Sequence, residues 1–207
     1  MKLHGLDADA VLFDCDGVLV DSEPVSFSAW AETLNGHGYA LEASEFAESI
    51  GGTETMVAER YAPVLGLDPV ALELEAQFAF EAIASRVTGF PDSIELVERL
   101  ERAHVPIAVA TNGLRWRLDV LLRAVGLGHL LSVSVTADEV ARPKPAPDLY
   151  LAAARLAGVD PARCVVIEDS PPGIAAAHRA GCRVIALDRG VFAADRLAEA
   201  DVVVDRV

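Results

Sequence analysis

Short apolar segments alternate with helical patterns along most of the chain, and this alternation restricts the possible fold more than any other feature. Four segments rich in β-branched and aliphatic residues predict buried strands, at 10–14, 106–110, 164–168 and 183–187, with weaker candidates at 132–136 and 202–204. Helix-start signals lie between them, at the box-like Asp92-Ser93-Ile94-Glu95 and at Ser170-Pro171. Apolar strands separated by helices are typical of a parallel sheet covered on both faces, so we expect an α/β fold with a Rossmann-like parallel sheet core.

The alternation breaks once, between residues 22 and 90. This stretch contains several helical patterns, including a helix start at Asp68-Pro69, and no convincing strand. About 70 residues are too many for a simple crossover between two neighbouring strands. We therefore predict an all-helical cap at 22–90, inserted into a core that is formed by 1–21 and 91–207.

Charge and composition exclude several classes of function. The chain has 207 residues, with 17 Lys and Arg against 32 Asp and Glu, a formal charge of −15, and 52% of its residues are hydrophobic. This is the composition of a globular protein rather than a disordered one. The negative charge disfavours nucleic acid and anionic membrane surfaces as partners, and no apolar segment is long enough to span a bilayer. Three cysteines are too few for a disulfide framework, so we expect a cytoplasmic setting.

Polar side chains follow the predicted strands at their carboxyl ends, where open α/β sheets bind ligands. They are Asp14 and Asp16 after the first strand, Thr111 and Asn112 after the second, Lys144 in a proline-flanked segment, and the acidic pair Glu168 and Asp169. Paired carboxylates repel each other unless a cation or a shared proton lies between them, and carboxylate oxygens are suitable ligands for Mg²⁺. A carboxylate can also attack phosphorus, while an ammonium and a hydroxyl offset the charge of phosphoryl oxygens. The set therefore indicates phosphoryl transfer.

At these residues the chain resembles the haloacid dehalogenase-like (HAD) hydrolases, in the phosphatase and phosphoglucomutase-like branch with a helical cap after the first strand. Four motifs occur in order: Asp14-Cys15-Asp16-Gly17-Val18-Leu19-Val20-Asp21-Ser22-Glu23, Thr111-Asn112-Gly113, Arg142-Pro143-Lys144-Pro145-Ala146-Pro147-Asp148 and Glu168-Asp169-Ser170. The resemblance covers nearly the whole chain, and its first and third motifs are highly specific.

The resemblance implies a role for each acidic residue. Asp14 would be the nucleophile that forms an aspartyl-phosphate. Asp16 would protonate the leaving group and then activate water against that intermediate. Mg²⁺ would be held by Asp14, the backbone carbonyl of Asp16, and Asp169. Glu168 would be a further ligand or would lie just behind the ligands.

The phosphoryl group, by the same resemblance, would be held by Thr111 and Lys144, assisted by backbone amides near Cys15 and Asn112. The variants of the first and second motifs are similar to those of sugar-phosphate and 6-phosphogluconate phosphatases. We therefore expect the partner to be a small phosphorylated metabolite, and the chain to be a monomer or a weak homodimer.

Differences within the branch separate the possible reactions. Dehalogenating relatives lack the second carboxylate, Asp16, and phosphonate-cleaving relatives need a cap lysine, which residues 22–90 do not contain. Phosphoglucomutase-like relatives carry a cap histidine and basic residues where this chain has Ser26 and Glu54. An acidic cap would hold a doubly phosphorylated intermediate poorly, so we expect hydrolysis, with a phosphosugar mutase as the alternative. A receiver-like switch domain has a similar acidic pocket but no helical insertion.

Overall fold

A computed structural model describes all 207 residues, and its centre is a six-stranded parallel sheet. The strands of the chain are β1 (Lys2–Leu3), β2 (Leu6–Asp7), β3 (Ala10–Phe13), β4 (Val20–Asp21), β5 (Thr88–Gly89), β6 (Ile107–Ala110), β7 (Ser134–Val135), β8 (Cys164–Glu168), β9 (Arg183–Leu187) and β10 (Val202–Val204). The sheet order is β10-β9-β8-β3-β6-β7, and every pairing within it is parallel. The predicted α/β class and all six predicted strands of this sheet are confirmed, with end points that differ by up to two residues.

Helices cover both faces of the sheet, as the apolar strands predict. The helices are α1 (Glu23–Gly36), α2 (Ala43–Phe46), α3 (Glu54–Leu65), α4 (Pro69–Ile83), α5 (Pro91–Arg102), α6 (Arg115–Ala124), α7 (Asp148–Ala157), α8 (Pro171–Arg179) and α9 (Ala194–Leu197). Alternate residues of β3 enter opposite clusters: Val11 and Phe13 pack with α5 and α6, and Ala10 and Leu12 pack with α7 and α8. No helix combines the length and the apolar character that crossing a membrane requires.

All three predicted helices are present, but one of the three start signals does not cap its helix. Ser170 is the N-cap of α8 and its hydroxyl accepts a hydrogen bond from the Gly173 amide, while α4 begins at Pro69 directly after Asp68. Helix α5, however, begins at Pro91. Asp92 therefore lies inside the first turn rather than at the cap, and its carboxylate accepts hydrogen bonds from Arg189 instead.

The segment between β4 and β5 folds as four α-helices with a core of its own. Helix α4 packs against both α1 and α3, and the buried cluster between them includes Trp30, Leu34, Tyr61 and Leu72. This confirms the predicted helical cap as part of the fold class.

The expectation of no strand in 22–90 is wrong at one point, because β5 pairs antiparallel with β4. Val20 lies opposite Gly89 and Asp21 opposite Thr88, so the chain leaves the core and returns to it side by side. We propose that this two-stranded ribbon is the junction between core and cap, next to the boundaries predicted at 22 and 90.

Candidate active site

The carboxyl ends of β3, β6 and β8 open into one cavity between the sheet and the cap. The cavity has a volume of about 710 Å³ including its mouth. Six residues singled out from the sequence line it: Asp14, Asp16, Thr111, Asn112, Lys144 and Asp169. The seventh, Glu168, has no exposed surface and lies directly beneath them. The fold thus brings together residues that are up to 155 positions apart in the sequence.

The turn after β3 brings the first motif against the last one. Gly17 has a φ of +76°, in the left-handed region that favours glycine, and the turn closes through hydrogen bonds from the Leu19 amide to the Cys15 carbonyl and from the Gly17 amide to the Val20 carbonyl. A Cβ atom on Gly17 would overlap the carboxylate of Asp169. This close approach is what allows the two acidic motifs to share one site.

Lys144 is buried between two carboxylates. Its Nζ lies 2.7 Å from Asp14 Oδ1 and 2.7 Å from Glu168 Oε1, and its side chain is only 3% exposed. Its backbone amide donates to Asn112 Oδ1 at 2.8 Å, which fixes the proline-flanked segment to the end of β6. Ion pairs of this geometry hold the ammonium in place, and both partners raise the pKa of Lys144 against the opposing effect of burial.

Glu168 is the most heavily bonded side chain of the site. Its Oε1 accepts from Lys144 and, at 2.9 Å, from the Tyr150 hydroxyl. Its Oε2 accepts from the amides of Asp169 and Ser170 and from the Ser170 hydroxyl, each at 2.9 Å. Burial alone would raise the pKa of Glu168, but Lys144 and these donors hold it below its usual range.

Asp14 and Asp169 have far less compensation for their burial. Burial raises the pKa of Asp14 to about 7, with Glu168 adding to the effect and Lys144 opposing it. Burial, followed by the Glu168 and Asp14 carboxylates, raises the pKa of Asp169 well above its usual range. These two carboxylates therefore lack a positive partner of sufficient charge.

A divalent cation fits this arrangement. Carboxylate oxygens of Asp14, Glu168 and Asp169 lie within 4.8 Å of one another, and hard oxygen donors are the ligands that Mg²⁺ prefers. Together with Asp16, the cluster holds four carboxylates against the ammonium of Lys144 and the guanidinium of Arg117. The cluster therefore carries an excess of negative charge, which a divalent cation would offset.

Thr111 and Asn112 lie at the end of β6 with their polar groups turned to the cavity. Thr111 Oγ1 accepts a hydrogen bond from the Gly113 amide at 3.0 Å, so its own proton remains available to a ligand. Asn112 donates from Nδ2 to the Gly51 carbonyl of the cap at 3.2 Å. Asn112 is therefore both part of the site and a contact between core and cap.

Sequence reasoning missed Arg117. This residue of α6 is buried, and its guanidinium binds the Asp16 carboxylate at 2.9 Å and the Glu54 carboxylate of the cap at 2.8 Å. Burial alone would raise the pKa of Asp16, but Arg117 and the Ser22 hydroxyl hold it below its usual range. A signal was present, because Arg117 occupies the same helical stripe as the buried Leu118 and Leu121. A charged residue in an apolar stripe indicates a buried partner.

The fold and the site define a hydrolase of the capped α/β class, with a carboxylate–lysine cluster at the strand ends. Residues 8–181 match the model of the haloacid dehalogenase-like hydrolases, and the chain belongs to this family. The resemblance drawn from the four motifs and the prediction of an enzyme of this family are thereby confirmed.

Named relatives give this assignment more detail. The chain is 36% identical over 194 residues to validoxylamine A 7'-phosphate phosphatase of Streptomyces hygroscopicus subsp. limoneus, covering 92% of this chain and 90% of that protein. It is also 36% identical over 194 residues to hexitol phosphatase A of Escherichia coli, covering 93% and 88%. Among solved structures, CbbY from Rhodobacter sphaeroides in complex with phosphate superposes with a TM-score of 0.86 at 29% identity, covering 96% of this chain and 94% of that one.

Proposed function

We propose that the protein is a Mg²⁺-dependent phosphatase that hydrolyses a small phosphomonoester through an aspartyl-phosphate at Asp14. The observation that carries the proposal is the pairing of Asp14 Oδ1 with the buried ammonium of Lys144 at 2.7 Å, at the end of a strand that opens into the cavity. The other oxygen, Oδ2, accepts no hydrogen bond from the protein and is free to react. Relatives named as phosphatases support the same reaction class.

The first half of the reaction transfers the phosphoryl group to the enzyme. Asp14 Oδ2 attacks phosphorus, the bond from phosphorus to the leaving oxygen breaks, and Asp16 gives that oxygen a proton. In the second half, Asp16 takes a proton from water, the water oxygen attacks the phosphorus of the aspartyl-phosphate, and Asp14 is regenerated as phosphate leaves. Asp16 lines the cavity with an Oδ2 that accepts no protein hydrogen bond, and this oxygen must bind a proton before the transfer, because Arg117 and the Ser22 hydroxyl hold the pKa of Asp16 below its usual range.

The phosphoryl oxygens are bound by groups of the core. Lys144 offsets their charge, the Thr111 hydroxyl donates to one of them, and the backbone amides next to Cys15 and Asn112 donate to the others. Asn112 has a second role, since its side chain fixes the Lys144 backbone.

Mg²⁺ would be held by Asp14, the backbone carbonyl of Asp16 and Asp169. When bound, it offsets the negative charge that the nucleophile and the phosphate bring together. Glu168 was predicted as a metal ligand or a near neighbour of one. Because both of its oxygens already accept protein hydrogen bonds, we assign it the second role, in which it anchors Lys144.

A sugar phosphate or a related polyol phosphate is the substrate class we propose. The cap lines the cavity with Glu23, Ser26 and Glu54, none of which carries a positive charge, so the cap offers no partner for a second phosphate. Arg117 also lines the cavity, but it is already bound to Asp16 and Glu54. This charge distribution favours hydrolysis of a monophosphate over the mutase reaction. Nucleic acid is disfavoured by the charge of −15.

A screen of hexitol, hexose and pentose phosphates with Mg²⁺, read by phosphate release, tests the proposal. We expect release from at least one of them, its loss in excess chelator, and its loss in Asp14→Asn with the fold retained by circular dichroism. Interconversion of sugar phosphates without release would establish the mutase instead. Turnover by Asp14→Asn would remove Asp14 as the nucleophile.

A further inference from the structure

Arg117 lies where the core meets three helices of the cap. It belongs to α6 of the core, and its side chain is 6% exposed. Its Nη1 lies 2.8 Å from Glu54 Oε1 at the start of α3, and its Nη2 donates to Ser26 Oγ of α1 at 2.8 Å. The guanidinium carbon lies 4.4 Å from the ring centre of Phe80 in α4.

The core side of the same guanidinium is bound to Asp16. Arg117 Nη2 donates to Asp16 Oδ1 at 2.9 Å, and the Ser22 hydroxyl donates to the same oxygen. Both donors bind Oδ1, which holds this oxygen in place and leaves Oδ2 without a protein donor. The orientation of Asp16 therefore depends on the position of the Arg117 guanidinium.

Glu54 in turn ties Arg117 to the body of the cap. Its Oε2 accepts from Trp30 Nε1 at 2.9 Å, so its two oxygens connect α1 of the cap to α6 of the core. A buried charge pair is stable only when both partners are in place, because either charge alone would be buried without compensation. Displacement of the start of α3 therefore removes one of the two carboxylates that compensate the buried charge of Arg117.

From these contacts we infer that Arg117 is a positioning residue that orients Asp16 for proton transfer only while the start of α3, which carries Glu54, is seated on the core. The inference depends on the proposed phosphatase activity, in which Asp16 protonates the leaving oxygen. The coupling affects turnover only if the cap must move away from the core to admit the substrate. Asp14, Lys144 and Asp169 are each less than 10% exposed, so a substrate the size of a sugar phosphate must pass between cap and core. Through Arg117, the orientation of the Asp16 carboxylate then depends on the contact between the cap and the core.

The coupling predicts a difference between two kinds of leaving group. A sugar alkoxide needs a proton as it leaves, whereas p-nitrophenolate leaves without one. Misplacement of Asp16 by Arg117→Met should lower kcat/KM for a hexose or hexitol phosphate by about 10²-fold. The same variant should change kcat/KM for p-nitrophenyl phosphate by less than about threefold, because that ratio reports only the steps up to release of the leaving group.

Glu54→Gln is the milder second variant, since the glutamine carbonyl can still accept from Trp30 while its NH2 group replaces the carboxylate oxygen that binds Arg117. We expect it to lower kcat/KM for the sugar phosphate by about tenfold, the loss of one hydrogen bond between charged groups. In the Arg117→Met background the same change should add less than about threefold, because the two residues act through one contact. Arg115→Met is the matched control, since Arg115 lies on the same helix but pairs with Glu139 outside the site, and its kinetics should remain those of the wild type.

A readout independent of turnover comes from tryptophan fluorescence. The chain has two tryptophans: Trp30 donates to Glu54, and the Trp116 ring packs edge-on against Phe80, so both lie at the contact between cap and core. Arg117→Met and Glu54→Gln should change the emission of the ligand-free protein, and Arg115→Met should not. If no phosphate ester is hydrolysed by the wild type but the emission changes as expected, the proposed function fails and the seating contact stands.

Three results would overturn the inference. An equal loss on the sugar phosphate and on p-nitrophenyl phosphate would mean that Arg117 is merely structural. Wild-type kinetics in Glu54→Gln would show that the cap does not influence the orientation of Asp16. Full additivity of the two substitutions would show that Arg117 and Glu54 act independently.

Discussion

Replacing Gly173 by alanine should destabilise the protein, although alanine is normally the better helix residue. Gly173 lies in the first turn of α8, and a Cβ atom at this position would overlap the Glu168 carboxylate beneath it. In a flexible side chain such an overlap is relieved by a small rotation. Glu168 cannot rotate freely, because five donors converge on its two oxygens and it has no exposed surface.

The magnitude follows from the contacts that must break. Moving Oε1 away from Gly173 forfeits the hydrogen bonds from Lys144 Nζ at 2.7 Å and from the Tyr150 hydroxyl at 2.9 Å. At about 1.5–3 kcal/mol for each bond to a charged group, the loss is about 3–6 kcal/mol. The gain in helix propensity is only about 1 kcal/mol. The free energy of unfolding should therefore fall by about 2–5 kcal/mol.

Urea denaturation followed by circular dichroism measures this change, and Gly36→Ala provides the matched control. Gly36 also lies in a helix, α1, but a Cβ atom there meets nothing within 4 Å, so alanine should raise stability by up to about 1 kcal/mol. Gly173→Ala should in addition lower kcat/KM by about 10²-fold, because Lys144 loses one of its two anchors. A stability gain for Gly173→Ala like that of Gly36→Ala would refute the reasoning.

Three further predictions concern charge. The raised pKa of Asp169 means that the native protein holds the proton of this residue more tightly than the unfolded chain does. The metal-free wild type should therefore lose stability relative to Asp169→Asn as the pH rises above about 4. Equal dependence of the free energy of unfolding on pH in the two proteins, measured by denaturation at a series of pH values, would contradict this. For Asp92 the pH dependence of stability has the opposite sign, because Arg189 outweighs burial and lowers the pKa of this residue. The wild type should be more stable than Asp92→Asn by about 2 kcal/mol at pH 7, and this difference should vanish as the pH falls below about 4. Raising ionic strength from low to moderate should not slow association with an anionic substrate in stopped-flow measurements, because the charge of −15 gives no attractive steering, and a steep fall in rate would contradict this.

The sheet could be predicted from the sequence because its signal is local. Each central strand is a continuous apolar run, and both faces of such a strand are buried, as they are in β3 and β8. Three of the four motifs could be located for the same reason, since Asp14, Thr111 and Glu168 lie at or directly after the end of a strand, whereas Lys144 was singled out by its proline-flanked segment. The ribbon of β4 and β5 was missed because two residues per strand are too few to show a period.

The sequence could not show which of the charged side chains receive hydrogen-bond donors and which do not. Glu168 and Asp169 are neighbours with the same chemistry, yet Glu168 takes five protein donors and Asp169 is left beside other carboxylates. The donors that decide this include Lys144 and Tyr150, which are 24 and 18 positions away. Arg117 was overlooked in the same way, because its partner Asp16 is 101 residues distant.

The ribbon of β4 and β5 has a consequence for how such a protein can change. Val20 and Gly89 lie opposite each other in the ribbon, so the two ends of the helical insertion meet at nearly one point of the core. A segment attached in this way can lengthen, shorten or be replaced by an unrelated one without shifting β3 or the turn that follows it. A new insertion can therefore change the residues that face the cavity while the strand-end residues stay in place, provided that it supplies Arg117 with a carboxylate where Glu54 now lies.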